Sequence, residues 1–374
     1  MLPQAREALL AALDEGWADP GRLHTEGRRA RLLVDGAREA VAAALGARAE
    51  EVAFTGSHTT ALHAGVLGTL LGRVRVGDVL VHSAVEHSAV LAAAQWHRER
   101  GGTCTEVAVD QVGRVDVQAF ATAVGARSCA VAALQAANGE VGTVQPVDEV
   151  LAACRRARVP LLVDAAAAAG QIELPGYDLL AADPQAWGSP GGVGVLVVRA
   201  GVRWRSPWPE DPAVPADRPG TPGSAGVPQV LAAAVGLRTA LAGREAAHAA
   251  RRRVVQRLRD RIPAVLGDVV VVGDPDLRLP HVLTFSCLFA DGEALTGELD
   301  AAGFAVGSGS ACSASTLVPS HVLAAMGALT QGNVRIALPA TGTQAELEAQ
   351  VDRFLEVLPQ ALGRVRDRLG TSQL

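Results

Sequence analysis

Apolar positions follow two rhythms along this chain. Between about residues 28 and 200, segments with an apolar residue every three to four positions alternate with short runs that are apolar throughout. The first rhythm predicts helices over Arg28–Leu45, Thr59–Leu71, Ser88 to about Arg100, and Val147–Ala157. The second predicts strands over Glu51–Thr55, Asp78–His82, Cys129–Leu134, Val159–Asp164 and Gly194–Arg199. Buried strands separated by helices predict an α/β fold with a mostly parallel sheet covered on both faces. Residues 201–226, rich in Pro, Trp and Gly, read as an irregular connection before a long helix over Val227–Leu266.

After that helix the rhythm changes. Strands are expected at Val269–Val272 and His281–Ser286, then a helix at Gly292–Ala302, a loop and helix, a strand at Asn333–Leu338, and a terminal helix from about Gln344. The expected division is a large α/β domain over 16–250 and a small α+β domain over 251–374, joined by the amphipathic helix 1–15.

Composition narrows the function classes. The net charge is −5, so no basic surface argues for nucleic acid or an anionic membrane. Arg251, Arg252 and Arg253 read as a solvated helix face. No apolar run reaches the roughly 20 residues of a membrane span, and the N-terminus reads as a helix start, not a signal peptide. Five cysteines, an odd number with no CxxC pair, predict no structural metal site and a reducing cytoplasm. Lysine is absent altogether, and asparagine occurs only at Asn138 and Asn333, as strongly GC-rich coding would produce. Arginine replaces lysine harmlessly on a surface. It cannot replace a Schiff-base amine, because guanidinium stays protonated.

Candidate chemistry sits where predicted strands end. Gly56-Ser57-His58-Thr59-Thr60 follows a strand and opens a helix; it is a phosphate cradle or an ordinary helix cap. Glu86-His87-Ser88 follows the next strand, where a histidine is a ligand contact or a satisfied structural residue. Asp164 closes an apolar strand and needs a partner such as a protonated ring nitrogen or an arginine, unless it caps a helix. The loop Gly307–Ser315 presents one thiol, Cys312, reactive or inert. Arg335, in an alternating strand, suits a carboxylate ligand or a structural ion pair.

The order of these signals is more specific than any one of them. Helix-opening Thr59, Glu86-His87, Asn138-Gly139-Glu140-Val141-Gly142, Val163-Asp164-Ala165, Arg218-Pro219-Gly220-Thr221, Gly309-Ser310-Ala311-Cys312 and Arg335 resemble the cysteine desulfurases, in the class V aminotransferase group of pyridoxal-phosphate (PLP) enzymes. The resemblance runs from about residue 4 to 365 and is sharpest over Val306–Gly327. It implies PLP fold type I: a large mixed, mostly parallel sheet flanked by helices, plus a smaller C-terminal α+β domain. It implies that Thr59 and Thr221 contact the cofactor phosphate, with Thr221 lent by the other subunit of a dimer. His87 would stack on the pyridine ring and Asp164 would pair with the pyridinium nitrogen. Arg335 would hold the substrate carboxylate, and Cys312 would carry sulfur as a persulfide.

The departures cluster. Where the family has Ser-x-His-Lys, this chain reads Asp183-Pro184-Gln185-Ala186. Ala186 takes the place of the Schiff-base lysine, Gln185 that of the preceding histidine, and Asp183 that of a phosphate-binding serine. Asp-Ala-x-Gln becomes Asp164-Ala165-Ala166-Ala167, and paired asparagines become Asn138-Gly139. The family's opening strand is absent, which implies either its loss or a start codon upstream of Met1. Covalent PLP attachment is excluded, and noncovalent binding must do without several contacts. The expected protein is a cytoplasmic pseudoenzyme of the desulfurase fold, a homodimer or a heterodimer with an active relative, with a sulfur-acceptor protein as a further partner. The alternatives are a sulfur-transfer enzyme using noncovalent PLP or a Cys312 persulfide relay, and a binding module for a small metabolite.

Overall fold

Residues 1–209, 226–308 and 319–370 are described by the computed structural model. Two compact units form. Unit 1 holds Met1–Val107, Asp116–Ala136 and Gln145–Arg244; unit 2 holds Ala108–Val115, Ala137–Val144 and Glu245–Leu374.

Unit 1 is built on strands β1 (Val52–Thr55), β2 (Val79–Ser83), β3 (Thr103–Val107), β4 (Cys129–Gln135), β5 (Leu161–Asp164), β6 (Leu179–Ala182) and β7 (Gly194–Val198). Their spatial order is β1-β7-β6-β5-β4-β2-β3. The pairings β3–β2, β2–β4, β4–β5 and β5–β6 are parallel, while β6–β7 and β7–β1 are antiparallel, giving the mixed, mostly parallel sheet expected. Every residue of β4 is buried, as an interior strand covered on both faces requires. Helices α1 (Pro3–Glu15), α2 (Thr25–Leu45), α3 (His58–Gly72), α4 (Ser88–Arg98), α5 (Val117–Gly125) and α6 (Val147–Ala157) belong to this unit, with the first part of α7 (Val227–Leu266).

Helix α6 shows how sequence sets an element. Asp148 and Glu149 lie in its first turn, Arg155 and Arg156 in its last, each placement worth about 0.3–1 kcal/mol against the helix dipole. Its apolar residues Val150, Leu151 and Cys154 are buried. Helix α3 is apolar nearly all round, and its Leu62 and Val66 join a core with Leu80, Val131, Leu162, Leu179 and Leu196.

Unit 2 carries an antiparallel sheet in the order β10-β9-β8, from β8 (Val269–Val272), β9 (Val282–Cys287) and β10 (Asn333–Ala337). Around it lie α8 (Gly292–Ala301), the short α9 (His321–Ala325) and α10 (Gln344–Leu369). Leu258, Phe285, Leu295, Leu299, Val334 and Leu358 form its core.

Three elements escaped the sequence rhythm. Edge strand β3 leaves Thr103, Thr105 and Glu106 exposed, so it lacks an apolar run. Strand β6 is only four residues long. Helix α5 is short and starts at an Asp116 cap. The unit boundary at Arg244/Glu245 falls inside α7, and α1, expected with the small domain, lies in unit 1, where the Leu2 amide donates to the Gly188 carbonyl at 2.7 Å. Residues 137–144 fall in unit 2 because the Val144 amide donates to the Leu277 carbonyl at 2.9 Å and Thr143 pairs with Arg278. Among the described residues, no helix is long and apolar enough to cross a membrane.

At the entry to β2, a Cβ added to Gly77 would lie 1.9 Å from the Ser128 carbonyl oxygen. That oxygen also accepts the Val79 amide at 3.0 Å, so the backbone has little freedom to retreat. Gly77→Ala is expected to cost roughly 1–3 kcal/mol through overpacking. The denaturant midpoint reads this directly, and an unchanged midpoint contradicts it.

Candidate functional site

The carboxyl ends of parallel strands β2, β4 and β5 gather the polar residues of unit 1. Asp164, last in β5, is 5% exposed. Its Oδ1 accepts the Ala166 amide at 2.9 Å and lies 2.8 Å from Nε2 of His58. His58 is the first residue of α3, and its side chain is 7% exposed. The Ser57 hydroxyl caps this helix by accepting the Thr60 amide at 3.1 Å. The sequence therefore delivers the imidazole from a fixed helix start.

The surroundings of both groups favour their charged forms. Burial works against an imidazolium, but the Asp164 carboxylate outweighs it, and the Asp183 charge adds to the same effect, so His58 is held above its ordinary value. Burial likewise works against the Asp164 carboxylate. The charge and hydrogen bond of His58, then His87 and the Ala166 amide, hold it below the ordinary range.

His87 caps α4, its Nδ1 accepting the Ala89 amide at 3.1 Å. Its ring meets that of His58 edge to face, with centroids 5.0 Å apart and planes at 75°. Next to it, Glu86 is 1% exposed and accepts the Ser83 hydroxyl at 2.6 Å and the Gln135 amide at 3.1 Å. Burial pushes its carboxyl up to about 8; the Ser83 hydroxyl pulls the other way and the Asp164 charge adds to the rise. Glu86 thus keeps its proton at neutral pH.

The segment 183–189 is a pinned turn. Asp183 caps a single 3-10 turn, Pro184–Trp187, by accepting the Gln185 amide at 3.0 Å. Trp187 is fully buried and donates its indole N–H to the Ala233 carbonyl at 3.0 Å. The Ser189 hydroxyl donates to the Ala232 carbonyl at 3.1 Å, and the Gln171 amide group donates to the Ala186 carbonyl at 2.7 Å. Ala186 is half-buried and Gln185 exposed.

Unit 2 holds a second cluster. Arg335 on β10 is half-buried, donates to the Gly139 carbonyl at 3.3 Å and bridges by backbone to Gly307. Asn138 Oδ1 accepts the Glu140 and Val141 amides at 2.8 and 2.9 Å, shaping the turn that presents Gly139. Burial pushes the Glu140 carboxyl up to about 7, with the Ser320 hydroxyl and the Arg335 charge pulling the other way. Burial, and then the charges of Arg251 and Arg335 and of His248, push His281 down to about 3. The cluster is therefore cationic, with His281 neutral, and suits an anion.

Among the expected site residues, Asp164 and His87 are brought together around His58, and Asp183 acts on the same ring. Thr59, next to His58, is exposed. Thr221 and Cys312 lie outside the described residues. Sequence reading passed over His58 as part of a turn. Its partner lies 106 residues away, and only the sheet order joins them.

Comparison with known proteins adds to this geometry. The family model described as "Aminotransferase class-V" matches residues 7–350. A cysteine desulfurase of Cereibacter sphaeroides is 34% identical over 98% of this chain and 94% of its own. An IscS-like cysteine desulfurase of Mycobacterium tuberculosis is 35% identical, again over 98% of this chain and 94% of its own. Among solved structures, a NifS-like protein superposes with a TM-score of 0.86 at 24% identity, covering 96% of both chains. A cysteine desulfurase from Thermococcus onnurineus has a TM-score of 0.81 at 21% identity, covering 97% of this chain and 94% of its own.

The pair sets a pH dependence. The folded value of His58 is raised, so its contribution is complete below the unfolded value of about 6.5 and is lost as pH climbs through the folded value. That of Asp164 is depressed, so its contribution is present above about 3.9 and is lost as pH falls through the folded value. Wild type is expected to lose stability on the alkaline side as His58 deprotonates, and Asp164→Asn to lose that dependence. Identical slopes in denaturation series would mean that the pair is uncharged.

Proposed function

The chain belongs to the cysteine desulfurase family of class V aminotransferases, and on that premise we propose that it is a desulfurase fold without covalent cofactor chemistry. The observation that carries this reading is Ala186. It occupies the position that the family resemblance gives to the Schiff-base lysine, on a turn held by Trp187, Ser189 and Gln171, and no lysine occurs elsewhere in the chain. An alanine can neither anchor PLP nor act as a general base. The residues do not fit the cofactor in other respects. The Asp164 carboxylate is engaged by His58, and Asp183 puts an acid where the resemblance implies a phosphate-binding serine.

The cationic cluster of unit 2 supports a retained role for Arg335 in binding a carboxylate ligand. A guanidinium beside a neutral His281, with the Glu140 carboxyl pushed up to about 7, leaves positive charge available to an anion. A Cys312 persulfide relay remains the second reading, favoured by the Gly309-Ser310-Ala311-Cys312 sequence. A homodimer, or pairing with an active relative and a sulfur acceptor, suits either reading, as does a cytoplasmic setting.

Borohydride reduction of wild-type protein incubated with PLP is expected to leave no pyridoxyl group on any internal peptide by mass spectrometry. A stoichiometric internal adduct overturns the loss of covalent chemistry. Incubation with a low-molecular-weight persulfide should add one sulfur to Cys312, and an unmodified Cys312 removes the relay.

Replacing Arg335 by Ala is expected to weaken binding of free cysteine or alanine roughly 10- to 100-fold by calorimetry, since a hydrogen bond to a charged group is worth ~1.5–3 kcal/mol. Equal affinities for wild type and variant would place the carboxylate elsewhere.

A further inference from the structure

We propose that His58 is a built-in occupant of a site for a protonated aromatic nitrogen ring, formed by the Asp164 carboxylate and the His87 ring. The class of ligand follows from the partners. A carboxylate that is 5% exposed needs a cationic N–H donor. A ring beside it at aromatic contact distance selects a flat, aromatic one. An imidazolium or pyridinium satisfies both conditions.

His58 meets each of them from within the chain. Its Nε2 lies 2.8 Å from Asp164 Oδ1, and its ring lies 5.0 Å from that of His87. It thereby takes the carboxylate contact that the resemblance assigns to a cofactor ring, and it meets His87 edge to face rather than stacked. Asp183, at the head of the pinned turn, adds its charge in favour of the imidazolium. His58 is the first residue of α3, set by the Ser57 cap and by the packing of Leu62 and Val66. Asp164 Oδ1 accepts the Ala166 amide and meets His58 Nε2, so this carboxylate oxygen is engaged without an added ligand. The inference deepens the reading of a lost cofactor site and rests on it for what the site once held, but the chemistry of occupancy stands on His58, His87 and Asp164 alone.

Removing the imidazole should leave a ring-shaped, anionic vacancy that free imidazole refills. His58→Ala is expected to melt at a lower temperature than wild type. Millimolar imidazole at slightly acidic pH should raise that temperature in a saturable way while leaving wild type unmoved. The His58→Ala/Asp164→Asn double variant, which lacks the carboxylate, should not respond. No differential response of His58→Ala, or an equal response of the double variant, overturns the proposal.

If His58→Ala does not fold, nitrogen-15 NMR of the wild-type histidines decides. A His58 ring with both nitrogens protonated through neutral pH supports the pair, and a ring already neutral at slightly acidic pH overturns it. A second readout separates this inference from the preceding one. After incubation with PLP and borohydride, Ala186→Lys/His58→Ala should carry at least ten times the pyridoxyl label of Ala186→Lys. Equal, full labelling of both variants overturns the blocking role of His58 and leaves the reading of Ala186 intact. Labelling of wild type at an internal peptide overturns the reading of Ala186 instead.

Discussion

A carboxylate withdrawn from water at the end of a sheet strand must be matched by a cation, and the geometry around β5 is organised by that requirement. Asp164 closes a wholly buried strand and is itself 5% exposed. His58 supplies the cation from the start of a helix that begins after β1. Strands β7 and β6 separate β1 from β5 in the sheet, so α3 has to lie across them. Its Leu62 and Val66 share a core with Leu162, Leu179 and Leu196. Breaking a buried pair by removing one partner costs about 3–5 kcal/mol. The turn after β1, the Ser57 cap and the lie of α3 are all fixed by one ionic contact and the apolar face that carries it.

The turn at 184–187 shows a separation between architecture and chemistry. Trp187 is sunk into the core and hydrogen-bonded through its indole, and Ser189 and Gln171 tie the neighbouring backbone. None of these contacts uses the side chain at position 186. The backbone of this turn is therefore set independently of the side chain at 186, which carries no reactive group. A fold of this kind constrains what surrounds a reaction, and the reaction itself depends on single side chains.

Much of the fold was legible in the sequence because burial on both faces leaves long apolar runs. Strands β4, β5 and β7, helix α6 and the change of rhythm after α7 all announce themselves in this way. Strand β3 does not, since an edge strand with an exposed face carries Thr and Glu. Strand β6 is too short for a rhythm to register. At the candidate site, Asp164 and His87 stood out in the sequence by their places at strand ends, and the structure brings both against His58. The role of His58 was not. Local pattern reports the partners of a residue only within a few turns, and this contact is fixed by which strands are neighbours. The buried state of Glu86 was hidden for the same reason: its protonation depends on Ser83 and Gln135 closing around it.

His58 stands at the centre of an electrostatic unit with the acids Asp164 and Asp183. With no amine at 186, the positive charge has to come from elsewhere, and the imidazolium of His58 lies under the influence of both acids. Glu86, already neutral, adds no charge. Asp183 thus adds to the preference of His58 for its charged form, with Asp164 the larger influence. With no lysine anywhere in the chain, the cation beside the buried Asp164 is supplied by His58.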